Sequence, residues 1–194
     1  MQGNSRKNMK LVTKRLILRP LRDSDAKSIF ENIKDLNVSK WLLVVPYPYK
    51  LKDAKSWVKH NKEKWRKKKK DDYTFGIEVK EEKKIIGGIG LHHVSKFQGK
   101  AEVGYWLGKK YWRQGYGSEA LKAILDFAFK KLRLRKIEAG VFVGNPSSGK
   151  LLEKFGAKKE GMKRKACRSK ATKKICDEII YGLLKEEYKP RKRI

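Results

Sequence analysis

The chain has 194 residues, 39% of them hydrophobic, enough for one domain with a sizeable core and too many for general disorder. No run of about 18 apolar residues occurs, and no apolar stretch follows the basic N-terminus, so a soluble, cytoplasmic protein with no membrane partner is expected. The 51 lysines and arginines against 21 acids give a net charge of +30, an excess that ion pairing cannot absorb. A field of that sign attracts RNA, ribosomes or anionic cofactors and repels free polyamines, although a merely compositional, solvated surface would look the same.

Residues 1–10 are polar and read as a flexible start to a domain spanning 11–188. Leu11 to Arg19 reads as a first strand that Pro20 ends. Asp23-Ser24-Asp25 then opens a helix in which Ala26, Ile29, Phe30 and Ile33 recur at helical spacing. Trp41 to Tyr49 is an apolar, aromatic connector, held extended by Pro46 and Pro48, that could line a substrate mouth or simply pack on the core. Asp53 can cap a second helix, whose basic end, Lys59 to Lys70, carries Trp65 and could dock on RNA. Tyr73 to Val79 and Ile85 to His93 read as a hairpin, its second strand thinned by Gly87, Gly88 and Gly90. His92 and His93 have no third ligand at useful spacing, and the only cysteines, Cys167 and Cys176, make no framework, so neither a metal nor a disulfide is expected.

The strand Ala101 to Leu107 leads through a basic loop to Arg113-Gln114-Gly115-Tyr116-Gly117-Ser118, where a helix begins. Glycine lets backbone approach a ligand closely, and the first helical N–H groups lack intrahelical partners, so this turn suits a phosphate or pyrophosphate. Gly115-x-Gly117-x-x-Ala120 also fits a dinucleotide fingerprint, with Glu138 near the required distance. Against that, no strand runs directly into Gly115, and Glu138 sits inside the run Ile137 to Val143. A P-loop is excluded because no Gly-Lys-Ser/Thr follows. After Ser118, Ala120, Leu121, Ile124, Leu125, Ala128 and Phe129 make a stripe built to lie on a sheet. Asn145 and Pro146 suit a helix start and Gly156 a helix end. Two strand-like segments follow, near Lys158 to Ala166 and Cys176 to Leu184, before a basic tail at 189–194. The whole reads as a single-domain α/β (α+β) fold, with a mixed central sheet of about six or seven strands flanked by helices.

Several of these segments together resemble the GNAT N-acetyltransferases, and most closely their ribosomal-protein N-acetyltransferase branch. The matching pieces are Arg15-Leu-Ile-Leu-Arg-Pro20, Glu102-Val-Gly-Tyr-Trp-Leu107, Trp112-Arg-Gln-Gly-Tyr-Gly-Ser-Glu-Ala120, Asn145-Pro-Ser-Ser148, Leu152-Glu-Lys-Phe-Gly156 and Asp177-Glu-Ile-Ile-Tyr-Gly-Leu-Leu184. The resemblance implies acetyl-CoA as co-substrate and a primary amine as acceptor: a protein N-terminus, a ribosomal-protein alanine among them, or a small-molecule amine. An RNA- or ribosome-binding module that keeps the fold, or a hydride-transfer enzyme using NAD, is the rival of a different class. A monomer or homodimer is implied.

The same resemblance implies that acetyl-CoA lies against Tyr105, Trp106, Leu107, Trp112, Arg113, Gln114, Gly115, Tyr116, Gly117, Ser118, Asn145, Ser148 and Lys150. Trp112 stands where the general pattern has glutamine or arginine, no tyrosine lies between Asn145 and Gly161, and Cys167 falls near the place of a glutamate base. For the proton taken from the amine, Glu102 comes first because alternation puts it on one strand face with Trp106; Glu138 is second and His92 or His93 third. Ser148 is the available group for protonating the leaving thiolate, and N–H groups near Trp106 and Leu107 could support the oxyanion.

Overall fold

The computed structural model describes residues 9–67 and 71–190. Most of the expected flexible N-terminus, Lys68 to Lys70 of the basic run and residues 191–194 of the basic tail lie outside the described residues. In chain order the elements are β1 (Leu11–Val12), β2 (Leu16–Arg19), α1 (Ala26–Ile33), α2 (Leu36–Ser39), α3 (Leu51–Arg66), β3 (Tyr73–Val79), β4 (Lys84–Ser95), β5 (Lys100–Leu107), α4 (Tyr116–Asp126), β6 (Lys136–Phe142), α5 (Pro146–Glu153), β7 (Lys158–Arg168) and β8 (Ile175–Leu184). The strands form one sheet in the order β1-β2-β3-β4-β5-β6-β8-β7. None of the described helices is long and apolar enough to cross a membrane.

Eight strands exceed the expected count because the segment Leu11 to Arg19 folds back on itself. Thr13 closes that turn: its N–H donates to the Leu16 carbonyl at 3.0 Å and its hydroxyl accepts the Leu16 N–H at 2.9 Å. Leu11 then pairs with Leu18. Two helix starts also differ from expectation. Asp53 is the third residue of α3 rather than its cap, and its carboxylate reaches back to the Lys50 N–H at 2.8 Å. Helix α4 begins at Tyr116, because Gly115 at φ +81° makes the turn into it, and Ser118 is already inside the first turn.

The sheet is covered on both faces. Ile29 and Ile33 of α1 and Ala54 and Val58 of α3 bury against Leu21 and Ile85 on one face. On the other face Leu121, Ile124 and Leu125 of α4 pack on Leu16, Leu18, Phe75, Leu91 and Val103, joined by Leu152 and Phe155. The helical stripe and the alternating strand residues therefore meet as their periods require. Arg19 links the first face to the sheet. It is buried, and its guanidinium pairs with both Asp25 and Glu78.

Candidate active site

All neighbouring strands are antiparallel except β5 and β6. These two run parallel and pair only at Lys100↔Lys136, Ala101↔Ile137 and Glu102↔Glu138. Beyond that point β5 stays with β4 and β6 stays with β8, so the pair opens as a wedge in the middle of the sheet. The Gly108 N–H donates to Ile86 of β4 at 2.9 Å. Strand alternation then turns the Trp106 and Gly104 N–H groups toward β4, and those of Leu107 and Tyr105 into the wedge. Trp106 is thereby removed from the expected pair of oxyanion donors. The Leu107 carbonyl, on the wedge side, accepts the Trp112 indole N–H at 2.8 Å.

At the open end lies the loop into α4. Arg113 (φ +60°) and Gly115 (φ +81°) are both left-handed, which bends the backbone sharply. The first α4 hydrogen bond runs from Glu119 N–H to Gly115 C=O, so the N–H groups of Tyr116, Gly117 and Ser118 have no partner within the helix. Gly117 sits close to Leu107 and Leu151, each 3.4 Å from where its Cβ would be. Gln114 closes the loop on itself, its amide donating to the Lys110 carbonyl at 2.7 Å.

The loop is braced by two residues that sequence reasoning did not single out. Glu119, buried in the first turn of α4, accepts the Thr13 hydroxyl (2.6 Å), the Arg15 N–H (2.7 Å) and the Arg15 Nε–H (2.8 Å). Arg15 also donates to the Gln114 carbonyl at 2.9 Å and stacks over the Tyr116 ring at 4.3 Å. Burial alone would raise the Glu119 carboxyl, but its bonds to Thr13 and Arg15 outweigh that and hold it below its ordinary range. From the end of α5, where it is the C-cap, Lys154 donates from Nζ to Ser118 Oγ at 2.9 Å, which brings a cation to the start of α4. Lys150 is exposed on the same helix.

The far wall of the wedge is the start of α5. Asn145 precedes that helix, but its side chain makes no capping bond, so its amide is left for another partner. Ser148 Oγ lies 2.9 Å from the Tyr105 hydroxyl, which also donates to the Ser148 carbonyl at 3.1 Å. A tyrosine therefore reaches α5 from β5, although none lies between Asn145 and Gly161 in sequence. Burial pushes the Tyr105 phenol up to about 12. It stays protonated at neutral pH and can donate.

Ala101, Val103, Tyr105 and Leu107 face α4 and α5, while Glu102, Gly104 and Trp106 face the side covered by α1 and α3. Trp106 packs edge-on against Trp57 at 6.3 Å. Glu102 is exposed and 3.3 Å from His93 Nδ1. Glu138 lies beside it in register, but Lys100 (3.1 Å) and Lys136 (3.2 Å) hold it. Burial would raise the Glu138 carboxyl, and the two ammonium groups override that and lower it. His92 lies across Gly104, and its Nδ1 is 3.0 Å from Asp72 Oδ1. Asp72 also pairs with Lys64; that cation and His92 overcome burial and hold the carboxyl below its usual range. Glu178 of β8 lies over Gly140 of β6. The aromatic connector borders this side: Trp41 is 3.6 Å from the place of a Gly144 Cβ, and the Leu43 carbonyl accepts the Lys170 N–H at 3.0 Å. Neither Asp72 nor Glu178 carries a sequence signal; only sheet register brings them here. No group of three metal-ligating side chains occurs among the described residues.

Residues 15–158 match a family model described as an acetyltransferase (GNAT) domain. The chain is 33% identical over 178 residues to the uncharacterized N-acetyltransferase p20 of Bacillus licheniformis, covering 92% of this chain and 97% of that one. A provisionally described ribosomal-protein-serine acetyltransferase from Vibrio cholerae superposes with a TM-score of 0.80 at 25% identity, over 92% of this chain and 98% of the other. The spermidine N-acetyltransferase of Vibrio cholerae, solved with CoA and spermine, shares the fold at a TM-score of 0.74 and 22% identity, over 91% and 99% of the two chains.

Proposed function

The chain belongs to the GNAT acetyltransferase family, and from that premise we propose that it acetylates the α-amine of a protein N-terminus, of the kind ribosomal proteins present, by direct attack within a ternary complex. Acetyl-CoA is the donor the family uses, and it supplies an activated thioester. The observation that carries the reading is the wedge. It opens beside a helix start with three unpartnered N–H groups and is lined by strand N–H groups turned inward. An arm of amide character fits such a gap, and a diphosphate fits the helix start.

In this reading the N–H groups of Tyr116, Gly117 and Ser118 hold the diphosphate, with Arg113, Gln114 and Gly115 shaping the turn and Lys150 and Lys154 adding charge. Trp112 pins the Leu107 carbonyl, which fixes the wedge's near wall. The free amide of Asn145 holds the pantetheine arm, and the Leu107 and Tyr105 N–H groups face the carbonyl oxygen where charge develops. Holding both reactants in place is worth about 7–11 kcal/mol of the barrier. Ser148, with the Tyr105 hydroxyl behind it, protonates the departing sulfur.

Support for a protein acceptor comes from the ribosomal-protein-serine acetyltransferase likeness and from a net charge of +30, which disfavours encounter with free polyamines. The same charge suits association with the ribosome. The spermidine enzyme's likeness in fold keeps small amines as the second reading. Release of free thiol from acetyl-CoA, followed against a panel of N-terminal peptides and a panel of polyamines, separates the two. Peptide turnover is expected. Faster turnover of spermidine than of every peptide would reverse the assignment, and release with neither panel would end it.

A further inference from the structure

Building on that acetyl-transfer reading, we propose that His92, oriented by Asp72, takes the proton from the acceptor amine. Glu102, Glu138 and His92 share the α1/α3 face, and position separates them. Glu102 and Glu138 occupy the last paired position of β5 and β6, the closed end of the wedge. Glu138 is further committed to Lys100 and Lys136. One step into the opening, on the same face, both strands carry glycine: Gly104 on β5 and Gly140 on β6.

The imidazole lies against the first glycine, at ordinary contact distance from where its Cβ would be. His92 Cδ2 and Nε2 lie 3.5 Å from where a Gly104 Cβ would be. Its other nitrogen is engaged with Asp72 at 3.0 Å. An ionised carboxylate only accepts, so Nδ1 carries the proton and Nε2 presents its lone pair. Lys64 keeps Asp72 ionised. A bulge in the β4–β5 pairing follows His92, with His93 held at φ +50°, and bulges of this kind re-aim side chains beside active sites.

Glu178 mirrors this on the other bank. Its carboxylate fills the space over Gly140, where a Cβ would come within 2.1 Å of Oε1. Among the described residues it has no ion pair, so it is free to receive an ammonium group before deprotonation. The proton balance is then complete. Of the two protons the ammonium loses, one passes to Nε2 and on to solvent, and the other ends on sulfur. The nitrogen lone pair forms the C–N bond as the C–S bond breaks.

The charged and titratable groups around His92 are Asp72 and, behind it, Lys64 of α3, then Glu102 on β5 and His93 on its own strand. The test compares the wild-type full-length chain with His92→Gln, His92→Ala and Asp72→Asn, using a peptide amine that the wild type acetylates. A fall in kcat of roughly 100-fold or more is expected for His92→Gln, with the acetyl-CoA Kd and Tm unchanged. The acidic limb of the wild-type kcat/KM–pH profile should vanish in that variant. Asp72→Asn should lower kcat while the acetyl-CoA Kd holds, and added imidazole should restore turnover to His92→Ala. Retention of activity within about threefold in His92→Gln, with the acidic limb in place, overturns the assignment while leaving acetyl transfer standing. A wild type that binds acetyl-CoA but acetylates no amine overturns the functional reading and this inference with it.

Discussion

Replacing Glu119 with glutamine tests whether the anion-binding turn is held from outside the helix that forms it. The carboxylate accepts three bonds, two of them from Arg15, while its own side chain is only 7% exposed. A hydrogen bond to a charged group is worth about 1.5–3 kcal/mol net, and breaking a buried pair costs about 3–5 kcal/mol. Arg15 is 36% exposed, so solvent screens its share. Glutamine keeps one acceptor but turns a donor toward Arg15, and a loss of about 2–3 kcal/mol follows. At about 2–4 °C per kcal/mol for a chain of this size, Tm should fall by roughly 4–12 °C. The pH dependence has a definite sign. A carboxyl held below its ordinary 4.5 contributes stability that is full above that value and is lost as pH falls through the folded-state value. The gap between wild type and Glu119→Gln, measured by calorimetry, should therefore be complete at pH 7 and close on acidification. A Tm within about 1 °C of wild type at pH 7, or a gap that persists unchanged in strong acid, would refute the bracing argument.

Arg19→Met should be more damaging, costing about 3–5 kcal/mol in urea denaturation, because it strands Asp25 and Glu78 as unpaired, largely buried carboxylates. Trp112→Phe removes the indole bond to the Leu107 carbonyl from a side chain 38% exposed. About 1 kcal/mol of lost bonding corresponds to a roughly fivefold rise in acetyl-CoA Kd by calorimetry, with little change in Tm. Gly140→Ala would force Glu178 off its present position. The amine KM should rise about tenfold in steady-state kinetics, as expected for loss of one charge-assisted contact, while the acetyl-CoA Kd holds.

How much of this was legible in the sequence depended on how local the cause was. The stripe Leu121, Ile124, Leu125 and the alternation that puts Glu102 on one strand face with Trp106 are set by the period of one element, and they appear as read. The split of the first strand was not readable, because Leu16-Ile17-Leu18 carries the same β pattern whether or not Thr13 turns the chain before it. The sequence places the start of this helix at Ser118, yet it begins at Tyr116 behind Gly115, because the turn into it needs a left-handed residue. Asn145 also looked like a cap, and its side chain does not serve as one. The wedge itself has no local signature. It arises because β5 is held by β4 and β6 by β8, and pairings between distant strands leave no trace in either strand alone. Asp72, 20 residues from His92, and Glu178 were hidden for the same reason.

The charge distribution makes the two sides of the wedge unequal. Arg113, Lys150 and Lys154 lie around the start of α4, whereas Asp72, Glu102 and Glu138 lie near the closed end, and Glu178 lies over Gly140 one step into the opening. At physiological ionic strength a charge is felt over about 8 Å, so each ligand responds chiefly to its own side. An anionic donor and a cationic acceptor can then meet at one wedge in a chain whose net charge would otherwise favour only the first. On the proposed reading net charge governs encounter and these few carboxylates govern seating, so +30 weighs against polyamines far more strongly in dilute buffer than at cellular salt. The preference between a protein N-terminus and a small amine must therefore lie in contacts beyond the reacting nitrogen. The Trp41–Tyr49 connector, which meets Gly144 through Trp41 and the β7–β8 turn through Leu43 and Lys170, is where these contacts are proposed to lie.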